Sequence, residues 1–255
     1  MNLHSIAPLM DAHEKWLENQ NEGRRADFTF KNLSGLNISN SKLRYAKFVG
    51  ANLEGCNLGN ADLQDLDGFS ASFIRADLTE SDLSRANLRG SRFYRTLLHG
   101  TKLINADLRR GTLFNKAGEA EKLISSDFSK ANLDESNMQN INLTGGCLAG
   151  ASLKNADCSG AMFEDCNFSG SDLSGAILSG ANFENAMLTG ATLVGADLSG
   201  TNLRGANLTN ANLQQANFSG VDLSETHLTG ANLDGVTGLD LTSIEELLLS
   251  FEINL

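Results

Sequence analysis

The sequence predicts an all-β solenoid, and two observations carry the prediction. From about Ala26 to Leu233 the chain repeats every five residues, and the centres, counted from Phe28, number 42 units. Nearly all centres are Leu or Phe. The second observation is that the residue two before each centre is small: Ala in 21 of the 42 units, and mostly Ser, Thr or Cys elsewhere. A period of five fits neither a helix, which repeats at 3.6, nor a plain strand, which repeats at 2. Within one unit, however, the small residue and the centre are two apart. They project to the same side of an extended piece, with Asp or Asn between them projecting outward. Ala61-Asp62-Leu63, Ala86-Asn87-Leu88 and Ala206-Asn207-Leu208 are such units. The last two residues, as in Thr189-Gly190, Ser199-Gly200 and Arg204-Gly205, suit a tight turn. Each unit is therefore a short side and a corner. Stacked coils of such units bury a ladder that includes Leu63, Leu88, Leu198 and Leu208 and pair their backbones.

Taken in order, the first element is an N-terminal capping helix in residues 1–25. Pro8 suits its first helical position, Leu9, His13, Trp16 and Leu17 share a face, and Gly23 suits its end. His13 is read there as packing. The solenoid follows over 26–238. Gly68 occupies a centre, and residues 114–122 match no unit, so a small loop or bulge carrying Lys116, Glu119, Glu121 and Lys122 is expected. The frame is read as resuming at Leu123. The last element, 239–255, reads as a second helix. Thr242 with Glu245 and Ser243 with Glu246 form capping boxes, and Ile244, Leu247, Leu248 and Phe251 form one apolar face. Leu249 and Ile253 lie off that face. Either they meet a second copy of the chain, or the whole segment packs on the rod.

These units resemble those of the pentapeptide-repeat proteins over about four-fifths of the chain. The resemblance implies a right-handed quadrilateral β-helix with four units, or 20 residues, per coil. The 42 units would make about ten coils. At about 4.8 Å per coil the rod is on the order of 50 Å long. A 20-residue coil would stack Phe28 on Phe48, Phe73 on Phe93 and Phe163 on Phe183.

Charge is uneven along the chain. Residues 1–127 hold 16 acidic and 17 basic side chains, whereas 128–255 hold 15 acidic and 3 basic. Within the first half, Arg85, Arg89, Arg92, Arg95, Lys102, Arg109 and Arg110 stand against one acid, Asp107. No aromatic interleaving suggests base stacking, so direct nucleic-acid binding is not expected.

The sequence offers no catalytic constellation. His4, His13, His99 and His227 are scattered, and no CxxC or comparable metal spacing occurs. Asp and Asn recur because the repeat dictates them. No enzyme activity, cofactor or metal is therefore expected, and the mixed outward residues do not form the Thr columns of an ice-binding face. Cys56, Cys158 and Cys166 take inward slots and Cys147 an outward one, which fits reduced thiols in the cytoplasm. Residues 1–10 do not read as a secretory signal, and no apolar run would span a membrane.

The expected function is that of a non-catalytic protein-binding rod. Resemblance to the topoisomerase-protecting members of the family implies a DNA mimic that binds DNA gyrase or topoisomerase IV and shields it from quinolones or a toxin. The residues that would present its charge are Asp157, Asp172, Asp197 and Asp222. The alternative is a general interaction scaffold, regulator or effector, with no topoisomerase link.

Overall fold

The computed structural model describes residues 3–114, 120–223 and 225–239. Lys116, Glu119 and the segment 240–255, with Leu249 and Ile253, for which a loop and a second helix are expected, lie outside these residues.

The N-terminal helix, α1, is Leu3–Glu18. It begins five residues before Pro8, so Pro8 lies inside it rather than at its first position. The first four N–H groups of a helix have no intrahelical partner, and the ring at Pro8 removes one further bond. Ile6 and His13 on its inner face are fully buried. The Ala26 N–H donates to His13 Nδ1 at 3.1 Å. His13 also stacks on Trp16 (5.7 Å), which meets Tyr45 edge-on. Burial lowers the His13 pKa, so the ring stays neutral and can accept that bond.

From Ala26 onward the chain forms a four-sided coil. The outward Asp/Asn positions bridge in parallel to the residue 20 further on except at one interruption, beginning with Asp27↔Lys47, Asn32↔Asn52, Asn37↔Asn57 and Lys42↔Asp62. These four series define four walls. Wall A carries Asn32, wall B Asn37, wall C Lys42 and wall D Asp27 with Lys47. Each bridge is a pair of backbone bonds, as in Phe28 N–H to Lys47 O (2.7 Å) and Lys47 N–H to Ala26 O (3.0 Å). Leu63, Leu88, Leu198 and Leu208 are buried to 1% or less, as are the small residues beside them.

The corner is set by backbone conformation. Every fifth residue from Phe30 to Asn105 and from Lys130 to Gly235 has φ between 54° and 70°. Eighteen of these corners are glycine and seven are asparagine, the residues that tolerate the left-handed region. The outward Asp or Asn closes the same turn: its Oδ1 accepts the N–H two residues on, as in Thr29 to Asp27 (2.9 Å), Glu54 to Asn52 (3.0 Å) and Ser199 to Asp197 (3.0 Å). This is the Asx turn, and it explains why the slot is Asp or Asn. Polar residues in the small inward slot are satisfied as well. Thr96 and Thr101 donate to the carbonyls of Phe73 and Leu78, and Cys56 and Cys166 do the same toward Leu33 and Leu143. At Gly68 the sizes are exchanged: Leu66, in the small slot, is buried to 1% and lies against the empty centre.

The repeat is interrupted once more deeply than the sequence indicates. Arg92↔Asp127, Leu97↔Asn132, Lys102↔Asn137 and Asp107↔Asn142 bridge over 35 residues, after which the step returns to 20. Fifteen residues therefore leave the coil between walls D and A. They include an antiparallel ribbon of β1, Gly111–Phe114, and β2, Ala120–Ile124, with Gly111 opposite Ile124 and Leu113 opposite Lys122. Glu121 and Lys122 lie on β2. Leu123 is a ribbon residue, and the first centre after the excursion is Phe128. Because fifteen is a multiple of five, the numbering keeps its frame across the gap, and three of the 42 counted units are not wall units. The aromatic ladder crosses it. Beside the three expected pairs (4.7, 4.9 and 5.0 Å), Phe93 stacks on Phe128 at 4.3 Å.

Replacing the buried Leu198 by Asp should cost several kcal/mol, an uncompensated buried charge. Ser199→Asp, one residue on, should cost under about 0.5 kcal/mol. Thermal melts compare them, and equal shifts would contradict the assignment of inside and outside.

The corner makes a second prediction with opposite signs. Nothing lies within 4 Å of a Cβ at Gly200, φ +63°. Gly200→Ala should therefore lose about 1–2 kcal/mol purely from its backbone. Lys130→Gly relieves the same strain at φ +58° and should gain up to ~1 kcal/mol after the added chain entropy. Urea unfolding midpoints that moved the same way in both variants would refute this account of the turn.

Candidate functional site

The surface available for recognition is the four walls and their corners. The coil places the four aspartates singled out in the sequence on three different walls. Asp157 and Asp197 share wall C, with Ile177 between them, Asp172 is on wall B, and Asp222 on wall D. No single face gathers them.

Three of them are also engaged in the scaffold. Asp157 Oδ1 accepts from the Ser159 N–H (3.1 Å) and hydroxyl, and Oδ2 accepts from Gln139 Nε2. Asp197 Oδ1 accepts from the Ser199 N–H and from Asn217 Nδ2 (2.9 Å) one coil on. Asp172 closes its own turn with Ser174 and pairs with Lys154 at 3.1 Å. Burial pushes the Asp172 pKa up, but the Ser174 bonds and the Lys154 ammonium outweigh it, leaving the carboxyl below the usual range. Asp222 is exposed.

Four further acids sit on wall D at the corner positions, where sequence reasoning did not look: Glu164, Asp165, Glu184 and Glu225. Glu164 and Glu184 are 20 apart, so the coil period alone would have stacked them. Arg204 is the base among them and bridges to Glu225 at 3.0 Å. Wall A of the same half is different. Its five units from Gly146–Gly150 to Thr226–Gly230 contain no Asp, Glu, Lys or Arg. Beyond Lys130, the acidic half thus carries its charge on three sides, and the five wall A units from Gly146 to Gly230 have no formal charge apart from any on His227.

The basic stretch is split in the same way. Arg85 closes on Asp65 with two bonds of 2.9 and 2.8 Å, on wall C. Arg92 belongs to wall A and Lys102 to wall C. Arg89, Arg109 and Arg110 share wall D, beside the base of the ribbon.

Nothing among the described residues points to chemistry. No group of three His, Cys, Asp or Glu is placed to hold a metal. Cys56, Cys158 and Cys166 are buried and unpaired, and burial raises all three thiol pKa values, to about 12 for Cys166. Cys147 is half-buried on wall A, 3.1 Å from the Ser129 hydroxyl. No described helix is long and apolar enough to cross a membrane.

The family model for pentapeptide repeats matches in eight copies, over residues 24–60, 71–110, 122–148, 148–180, 166–205 and 202–237. No curated protein matches the sequence. Among solved structures, the chain is similar to HetL, a pentapeptide repeat protein involved in heterocyst differentiation regulation from the cyanobacterium Nostoc sp. strain PCC 7120. That pair is 24% identical over 92% of this chain and 96% of that one, with a TM-score of 0.41. It is similar to Rfr23 from the cyanobacterium Cyanothece 51142 (32% identity, 55% and 86% covered, TM-score 0.33). It is also similar to QnrB1, a plasmid-mediated fluoroquinolone resistance protein (17%, 87% and 100%, TM-score 0.34). The assignment rests on the repeat itself. With the repeat model covering most of the sequence and the coil stepping by four units, the chain belongs to the pentapeptide-repeat family, whose fold is the right-handed quadrilateral β-helix.

Proposed function

We propose that the protein is a non-catalytic rod of about ten coils over residues 26–238 that binds a basic protein partner through its acidic C-terminal half. Residues 1–25 and 239–255 would close its two ends, and the cytoplasm would be its compartment. The observation that carries this reading is the charge imbalance of 15 acidic to 3 basic side chains in residues 128–255. A rigid stack of paired coils is suited to holding such charges at fixed spacing.

The narrower form of the reading is a DNA mimic that occupies the DNA-binding surface of a type II topoisomerase, DNA gyrase or topoisomerase IV. Its support is the wall chemistry. Duplex DNA presents charge around its circumference, and here walls B, C and D all carry acids. Residues 128–235 hold 11 acids and 3 bases, net −8. Spread over roughly 26 Å of rod, that is about one charge per 3 Å, half the density of duplex DNA at one per ~1.7 Å. Wall A, without formal charge in five coils apart from any on His227, favours the alternative of a general scaffold whose partner meets one side only.

Changing Asp157, Asp172, Asp197 and Asp222 to Asn removes four charges and keeps the turn-closing Oδ1 at positions 157, 172 and 197. Melting should hardly change, whereas affinity for gyrase should fall markedly and wild-type binding should weaken steeply with salt. A purified protein that neither inhibits gyrase supercoiling nor rescues it from a quinolone at micromolar concentration removes the topoisomerase reading and leaves the scaffold.

The same reading joins two rods through Leu249 and Ile253. Leu249→Lys with Ile253→Lys should then yield a folded monomer. Light scattering decides it, since a wild-type mass near the 27.2 kDa of one chain would exclude the dimer.

A further inference from the structure

The basic residues of wall D are not needed by that reading, and their surroundings indicate a site of their own. Arg89, Arg109 and Arg110 converge on a hollow of about 190 Å³ that Thr144 and Asp165 complete. It lies on the corner where the ribbon leaves the coil. Arg89 and Arg109 occupy the same position of successive coils, about 4.8 Å apart. Like charges this close require counter-charge, and only part of it is present. Arg109 is closed on Asp107 by two bonds, Nε at 2.9 Å and Nη2 at 2.7 Å. Arg89 and Arg110 have no carboxylate partner among the described residues. Arg89 Nη2 reaches the Arg110 carbonyl at 3.4 Å, and its Nε is shut off from solvent without a partner. Arg110 Nε reaches the Gly145 carbonyl, also at 3.4 Å. Both contacts are at the long limit of a hydrogen bond.

We propose that this hollow binds a phosphate-class oxyanion, with Arg89 and Arg110 as its principal ligands. Two guanidinium forks present more donors than the two oxygens of one carboxylate can take bidentately, and a tetrahedral phosphoryl group can serve both. Its charge of about −1.5 to −2 at pH 7 meets three guanidiniums, Arg89, Arg109 and Arg110, set against only two carboxylates, Asp107 and Asp165. The Thr144 hydroxyl already donates to Asn142 Oδ1 (3.0 Å), so it shapes the rim. Asp165 is the opposing charge. It keeps the empty hollow from being a bare cation cluster and weakens the anion's hold.

Isothermal titration of the full chain with inorganic phosphate, at low ionic strength in a phosphate-free buffer, tests this. One saturable site with a Kd of ~1 mM or tighter is expected. Arg89→Gln and Arg110→Gln should each weaken it about tenfold or more, and Arg85→Gln, whose fork is already on Asp65, should not. Asp165→Asn should tighten binding, a gain that misfolding cannot imitate. O-phosphoserine run in parallel distinguishes the source. Binding at least as tight as phosphate points to a phosphorylated chain, and binding of phosphate alone points to the free ion. Absence of saturation by ~10 mM overturns the proposal. So does acetate binding as well as phosphate, Asp165→Asn failing to tighten, or Arg85→Gln weakening binding as much as Arg89→Gln.

Discussion

The constraint on which the whole rod depends is the left-handed residue at every fifth position. An extended piece of three residues would run on as a strand, and a φ near +60° turns it. Four such turns bring residue i over residue i+20, and only then do the backbone groups of each side find partners above and below. The conformation is unfavourable for most residues, by about 1–2 kcal/mol. Glycine occupies eighteen corners and avoids the penalty, and the outward Asp or Asn offsets it elsewhere by accepting the turn N–H. Thus the polar slot, which looks like solvent-facing decoration, belongs to the folding machinery.

That dual role limits what the surface can do. Asp157, Asp172 and Asp197 hold turns together before they can present charge to a partner. Acids free of that duty are those at the corners, Glu164, Asp165, Glu184 and Glu225 among them. In such a rod the repeat leaves the side chain open at the fourth and fifth residues of each unit. The three arginines of wall D occupy these positions too.

The ribbon shows how a solenoid tolerates insertion. Each coil touches only its neighbours, so fifteen residues can leave at a corner provided the two ends return to adjacent coils. Phe93 and Phe128 meet across the gap at 4.3 Å as closely as Phe28 and Phe48 do within the regular stack. The core does not register the excursion. Its effect is confined to the surface, where it places the base of the ribbon beside Arg89, Arg109 and Arg110.

The sequence by itself determined the inside and the outside. Leu63, Leu88, Leu198 and Leu208 are buried because a period of five with a two-residue step leaves them no other side, and the Phe ladder follows from the same count. It also determined the net charge of each half. The tertiary structure alone decided which residues share a wall. Lateral neighbours are 20 residues apart in most of the rod but 35 apart at the ribbon, and an insertion of three unit-lengths leaves no trace in the frame. Asp157 and Asp222 therefore read alike in sequence yet face different directions, whereas Arg89, Arg109 and Arg110 share a hollow with Thr144 and Asp165 that no spacing announces. Helix α1 was legible as amphipathic, but its start was misplaced because a proline suits a first turn without requiring one. Its seat on the first coil rests on a neutral His13 accepting from Ala26, a contact that depends on burial, which no sequence pattern encodes.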